Sequence, residues 1–86
     1  MTVWFHLSVS EFTGCSHLEL EGEPETLQEM VDELRKLFGE DFYQYLLAED
    51  TCFYLVNGKS ILHTGGFSTR LQLGDKIEIL PVVEAG

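Results

Sequence analysis

The chain has 86 residues, five basic against fifteen acidic side chains and a formal charge of −10. That length holds one domain, and a hydrophobic fraction of 44% supplies a core, so disorder is excluded as the main description. A polyanion needs a basic face that five Lys and Arg cannot make, which excludes nucleic acid and disfavours a membrane surface.

The opening segment 3–10 alternates, with Val3, Phe5, Leu7 and Val9 on one face, and predicts a strand. Phe12-Thr13-Gly14-Cys15 reads as a turn, and residues 17–21 alternate again before Gly22. Together these predict an antiparallel hairpin. Thr26 then stands three residues before Glu29, the spacing of a capping box. Leu27, Met30, Val31, Leu34, Leu37 and Phe38 follow as one apolar stripe of helical period, and Gly39 is the expected stop. Phe42, Tyr45 and Leu46 share a face at the same spacing, which predicts a short second helix or turn.

Beyond residue 51 the period returns to two. Residues 52–56 lead into Asn57-Gly58, a strong hairpin signal, with 59–63 as the returning strand. Residues 64–69 read as an irregular connection, Gly74-Asp75 as a turn, and 76–80 as the last strand. Pro81 is expected to end the pairing, because it has no N–H to offer. The resulting order is β-β-α-(short helix)-β-β-β. It predicts an α+β fold, a ubiquitin-like β-grasp roll whose mixed sheet of four to five strands packs on one main helix. The domain is expected over residues 1–81, with 82–86 as a flexible tail ending in Gly86.

Chemistry-bearing constellations are sparse. His6, His17, His63, Cys15 and Cys52 lack the spacing of a metal site, and two cysteines are too few for an iron–sulfur cluster. Gly65-Gly66 is no phosphate loop, and acid pairs such as Asp32-Glu33 read as solvated surface. No nucleophile–base pair is visible, so no enzyme and no bound cofactor are expected. The start of the chain has no basic n-region or apolar h-region, and no apolar run approaches the roughly 18 residues of a membrane span. With two cysteines read as reduced thiols, the expected location is the cytoplasm. What stands out is the end of the chain. Ala85 and Gly86 present almost no side-chain width, so such a tail can enter a narrow slot in another protein.

The residues 56–59 (V-N-G-K) and 71–83, with an L-x-x-G-D-x-I turn and a strand running into Pro before a short tail and Gly, resemble the MoaD/ThiS sulfur-carrier family. The resemblance spans essentially the whole chain, and the long helix-to-hairpin insert is more like the MoaD branch, small subunits of molybdopterin synthase. It implies a consumable carrier rather than an enzyme. The Gly86 carboxylate would be adenylated by a ubiquitin-activating-like adenylyltransferase that uses ATP. A sulfur donor protein would then supply the sulfur of a thiocarboxylate. Val82, Val83, Glu84 and Ala85 would carry that group into the molybdopterin synthase large subunit, where a pterin precursor accepts it for the molybdenum or tungsten cofactor. Leu7, Ile61 and Leu80 are the expected partner contacts on the sheet. The ending departs from the family's usual Gly-Gly, with Ala85 before Gly86. Three other roles share the fold: a carrier for thiamin or another thio-metabolite, a ubiquitin-like modifier joined to lysines, and a β-grasp interaction domain that transfers nothing.

Overall fold

The computed structural model describes residues 1–48 and 51–82. Five strands form one mixed sheet in the order β2-β1-β5-β3-β4. They are β1 (Thr2–Phe5), β2 (His17–Glu19), β3 (Cys52–Val56), β4 (Lys59–Ser60) and β5 (Lys76–Pro81). The first and last strands run parallel at the centre, in the register Thr2↔Lys76 to Phe5↔Ile79, and the other pairings are antiparallel. Three helices, α1 (Ser8–Thr13), α2 (Leu27–Phe38) and α3 (Glu40–Leu47), complete the two layers.

The opening strand is shorter than its alternation predicts. It stops at Phe5, because Leu7 takes φ 51° and turns the chain into α1. A non-glycine residue there carries strain of about 1–3 kcal/mol. Val9 still reaches the core, now from a helix, whereas Leu7 is 67% exposed. The predicted tight hairpin is therefore an antiparallel pair joined by a helix, and Phe12 and Thr13 belong to that helix rather than to a turn. Phe12 lies over α3, with its ring centroid 5.3 Å from those of Phe42 and Tyr45.

The capped helix forms as the sequence implies. The Glu29 amide donates to the Thr26 hydroxyl at 3.2 Å, while the Glu29 carboxylate meets that hydroxyl at 3.3 Å rather than the Thr26 amide. Two backbone bonds tie this end to the 69–71 segment: Leu27 N–H to Thr69 C=O at 3.0 Å and Leu71 N–H to Glu25 C=O at 2.9 Å. Leu27, Met30, Val31 and Leu34 are wholly buried, but Leu37 is 56% exposed and lies off the stripe. The helix is ended one residue later by Gly39, whose φ of 95° no side chain tolerates well. The same glycine opens α3, so α3 folds back and sets Phe42 against Phe5 and Phe38, at 6.1 and 5.5 Å.

Asn57 and Gly58 take φ 52° and 85°, as a tight hairpin turn requires. The returning strand lasts only two residues. Ile61–His63 and Gly66–Ser68 are 3-10 turns, because Ile61 drops under the sheet into the core. Among the described residues, no helix is long and apolar enough to cross a membrane.

Leu34→Ala removes a fully buried side chain and is expected to cost about 2–5 kcal/mol. Leu37→Ala should stay within about 0.5 kcal/mol, although both positions fit the same helical period. Urea denaturation of the two variants checks this difference.

Candidate functional site

The sheet has one face under the helices and one face open, and alternation assigns each residue to a side. Val3, Phe5, Tyr54, Val56, Ile77 and Ile79 point inward and are buried. The register Phe53↔Leu80, Leu55↔Glu78 and Trp4↔Glu78 places Trp4, Phe53, Leu55, Glu78 and Leu80 on the open face. Its apolar part is Phe53, Leu55 and Leu80, with Phe53 48% exposed. Polar groups rim it. His6 Nε2 lies 3.0 Å from the Glu78 carboxylate, and Lys76 Nζ lies 3.9 Å from the same group. Lys76 also sits 5.7 Å over the Trp4 ring, whose other neighbour is His17 at 4.8 Å.

Leu80 is half-buried on the open face, two residues before Val82. Leu7 is exposed at the end of β1, beside the strand that carries Leu80. Ile61 is a correction. It is 6% exposed and belongs to the core, so it is not a contact on the open sheet face. Phe53 and Leu55 take its place on the exposed patch, and sequence reasoning missed them. The run 52–56 is apolar throughout, so its period carries no inside or outside, and only pairing with β5 decides which residues face out.

Pairing continues past Pro81, contrary to expectation. Pro81 stands opposite Cys52 within β5, and the Val82 amide donates to the Thr51 carbonyl at 3.0 Å. The proline is tolerated because alternate residues of β5 face opposite neighbours. Lys76, Glu78, Leu80 and Val82 bond toward β3, whereas Ile77, Ile79 and Pro81 face β1. The β1 side has run out by then, its last bond being His6 N–H to Ile79 C=O at 3.0 Å. Val82 is half-buried. Val83, Glu84, Ala85 and Gly86 lie outside the described residues, so the expected transfer group and most of the tail have no geometry to report.

Beside the tail's root, the Thr51 hydroxyl lies 2.7 Å from the Tyr45 carbonyl and 3.0 Å from that of Ala48, tying the end of α3 to β3. The Tyr54 hydroxyl donates to the Leu46 carbonyl at 2.9 Å in the interior. Burial pushes the Cys52 thiol up, and pushes the Tyr54 phenol far above its ordinary range, with the nearby Cys52 adding to the effect. Burial thus favours the neutral thiol and the neutral phenol. Among the described residues no three His, Cys, Asp or Glu come together to hold a metal, and both cysteines are free.

The folded state holds both protons more tightly than the unfolded chain. Stability is therefore expected to fall as pH rises past the ordinary thiol and phenol values of 9.0 and 10.0. In Tyr54→Phe that alkaline loss should be shallower, against a cost near neutrality of about 1 kcal/mol for the lost bond. Thermal denaturation from pH 7 to 11 measures both effects.

Comparison with known proteins agrees with this geometry. The ThiS family model matches residues 3–86. CysO of Amycolatopsis orientalis, solved in a BexX/CysO complex, superposes with a TM-score of 0.80 at 24% identity, covering 99% of this chain and 98% of that one. Small archaeal modifier protein 1 of Methanosarcina acetivorans gives 0.79 at 26% identity, covering 99% and 94%. A putative molybdopterin converting factor subunit 1 from Pyrococcus furiosus gives 0.66 at 15% identity, covering 95% of each chain. No curated protein matches the sequence at a significant level. With its ubiquitin-like β-grasp sheet and a family match running to its last residue, the chain belongs to the ThiS family of sulfur-carrier-like proteins.

Proposed function

We propose that this chain is a sulfur carrier whose working group is the carboxylate of Gly86. The observation that carries the reading is the reach of the family match, which includes the narrow Ala85-Gly86 end as well as the sheet. The chemistry is that of acyl activation. A carboxylate oxygen attacks the α-phosphorus of ATP, pyrophosphate leaves, and the mixed anhydride with AMP turns a poor acyl donor into a good one. Hydrosulfide released from the sulfur donor then attacks the acyl carbon, the acyl–phosphate C–O bond breaks, and AMP and a proton depart, leaving a thiocarboxylate. The catalytic groups for both steps belong to the activating enzyme, and this chain is co-substrate.

Partner docking uses the open sheet face. Phe53, Leu55 and Leu80 form an apolar patch from which β5 leads directly to Val82 and the tail. An exposed apolar patch on so small a domain marks a contact surface. Docking there delivers the tail to the same partner, which couples recognition to transfer. The acidic surface steers basic partners to it.

A pterin precursor of the molybdenum or tungsten cofactor, delivered through a molybdopterin synthase large subunit, is the acceptor implied by the second half of the sequence. The Pyrococcus neighbour supports that acceptor, although it is the loosest of the three likenesses. The likeness to CysO, solved in a complex with BexX, supports a chain that works with a protein partner, and that to the archaeal modifier supports the ubiquitin-like modifier reading.

Incubation with ATP, a sulfur donor and the host's activating enzyme is expected to replace one oxygen of Gly86 by sulfur. Intact-mass spectrometry with fragmentation locates the change, and removal of Gly86 should abolish it. A terminus that stays a carboxylate overturns the carrier reading, whereas an isopeptide to a lysine of another protein selects the modifier. Leu80→Asp should leave the folded spectrum intact and lower affinity for the activating enzyme at least about tenfold, the loss of roughly 1.4 kcal/mol.

A further inference from the structure

The edge of β3 away from β5 is covered by β4 only at Leu55 and Val56. Among the described residues, Cys52, Phe53 and Tyr54 have no strand on that side. The ladder decides which backbone groups point there. Asn57 N–H bonds Lys76 C=O at 2.8 Å and Val82 N–H bonds Thr51 C=O at 3.0 Å, so residues 51, 53, 55 and 57 face β5. The N–H and C=O groups of Cys52 and Tyr54 therefore face the uncovered edge.

An apolar groove of about 320 Å³ runs along this edge. Leu46 and Leu47 at the end of α3 line it, together with Ile61 and Leu62 after β4. Leu62 is 78% exposed and Leu47 is 36% exposed, although nothing in the core needs either. Val82 lines it as well. An occupant must satisfy two demands at once: apolar side chains for the walls and backbone partners for Cys52 and Tyr54. An extended strand does both, as in recognition by strand addition.

Charge selects between a second copy and a different protein. A copy of this chain would bring −10 against −10, whereas a cationic strand meets a complementary field. We propose that the β3 edge at Cys52–Tyr54 is a second docking site, taking an extended, lysine- or arginine-bearing segment of a partner protein as an added strand. Phe53 and Val82 line this groove and also belong to the open sheet face and its tail root, so the edge site borders that face. This site is independent of whether Gly86 carries sulfur.

The test uses the full chain and a capped peptide alternating lysine with valine or isoleucine. Amide hydrogen exchange is followed by NMR as the peptide is added. The Cys52 and Tyr54 amides are expected to slow at least about tenfold, the mark of a newly bonded backbone group. A peptide of the same sequence N-methylated along one edge, and one with glutamate for lysine, should not produce this. Cys52→Pro removes one edge donor but no bond to β5, and should abolish the protection of Tyr54. Unchanged exchange, equal protection by the N-methylated or the acidic peptide, or protection that grows with protein concentration alone overturns the proposal. The last result would assign the edge to a second copy. Failure here leaves the mass of Gly86 untouched, and failure of sulfur transfer leaves this exchange untouched.

Discussion

The parallel pairing of β1 with β5 is the constraint on which the rest of the molecule depends. It joins the first strand of the chain to the last, in register from Thr2↔Lys76 to Phe5↔Ile79. Inward from it stand Val3, Phe5, Ile77 and Ile79, each no more than 2% exposed. A parallel pair cannot be closed by a turn, so everything between residues 5 and 76 is one long crossover that must find its place over the sheet or beside it. The helix α2 fills the covered face, α3 returns under its end, and β3 pairs with the free side of β5. The central pair cannot form until the whole sequence is present, which makes this a fold of distant contacts.

That constraint also positions the candidate site. Because β5 lies between β1 and β3, its outward residues are flanked on both sides and held flat. Glu78 meets His6 and Lys76 on this face, and Leu80 meets Phe53. The last strand outlasts β1 and keeps pairing with β3 through Val82. The tail therefore leaves from a fixed point at one corner of the open face. Carrier chemistry of the proposed kind needs this separation, a rigid body for recognition and a slender end for reaction.

The elements that were legible in the sequence are those whose stabilisation is local. The Thr26 cap, the run from Leu27 to Leu34 and the Asn57-Gly58 turn rest on neighbours within a few residues, and each forms, the capping box only through its Thr26 side chain. The misread elements are those where alternation continues but tertiary packing does not. Leu7 continues the period of Val3 and Phe5, yet β2 pairs only as far back as Trp4 and the chain is free to turn into α1. Ile61 continues the period of β4, yet the core takes it and ends the strand. Pro81 looked like a terminator because its missing N–H was counted without knowing which neighbour that group would face.

The sequence by itself determined the order of the strands, the capped helix α2 and the family, because periodicity and turn chemistry are written along the chain, whereas α1 stood in a segment that alternates like a strand. Only the tertiary structure decided which residues face outward. A strand such as 52–56, apolar at every position, has no inside until β5 pairs with it and commits Phe53 and Leu55 to one face and Tyr54 to the other. The uncovered edge of β3 is invisible for the same reason. Whether a backbone amide is used or free depends on how far its neighbour runs, and a strand's own residues do not record that.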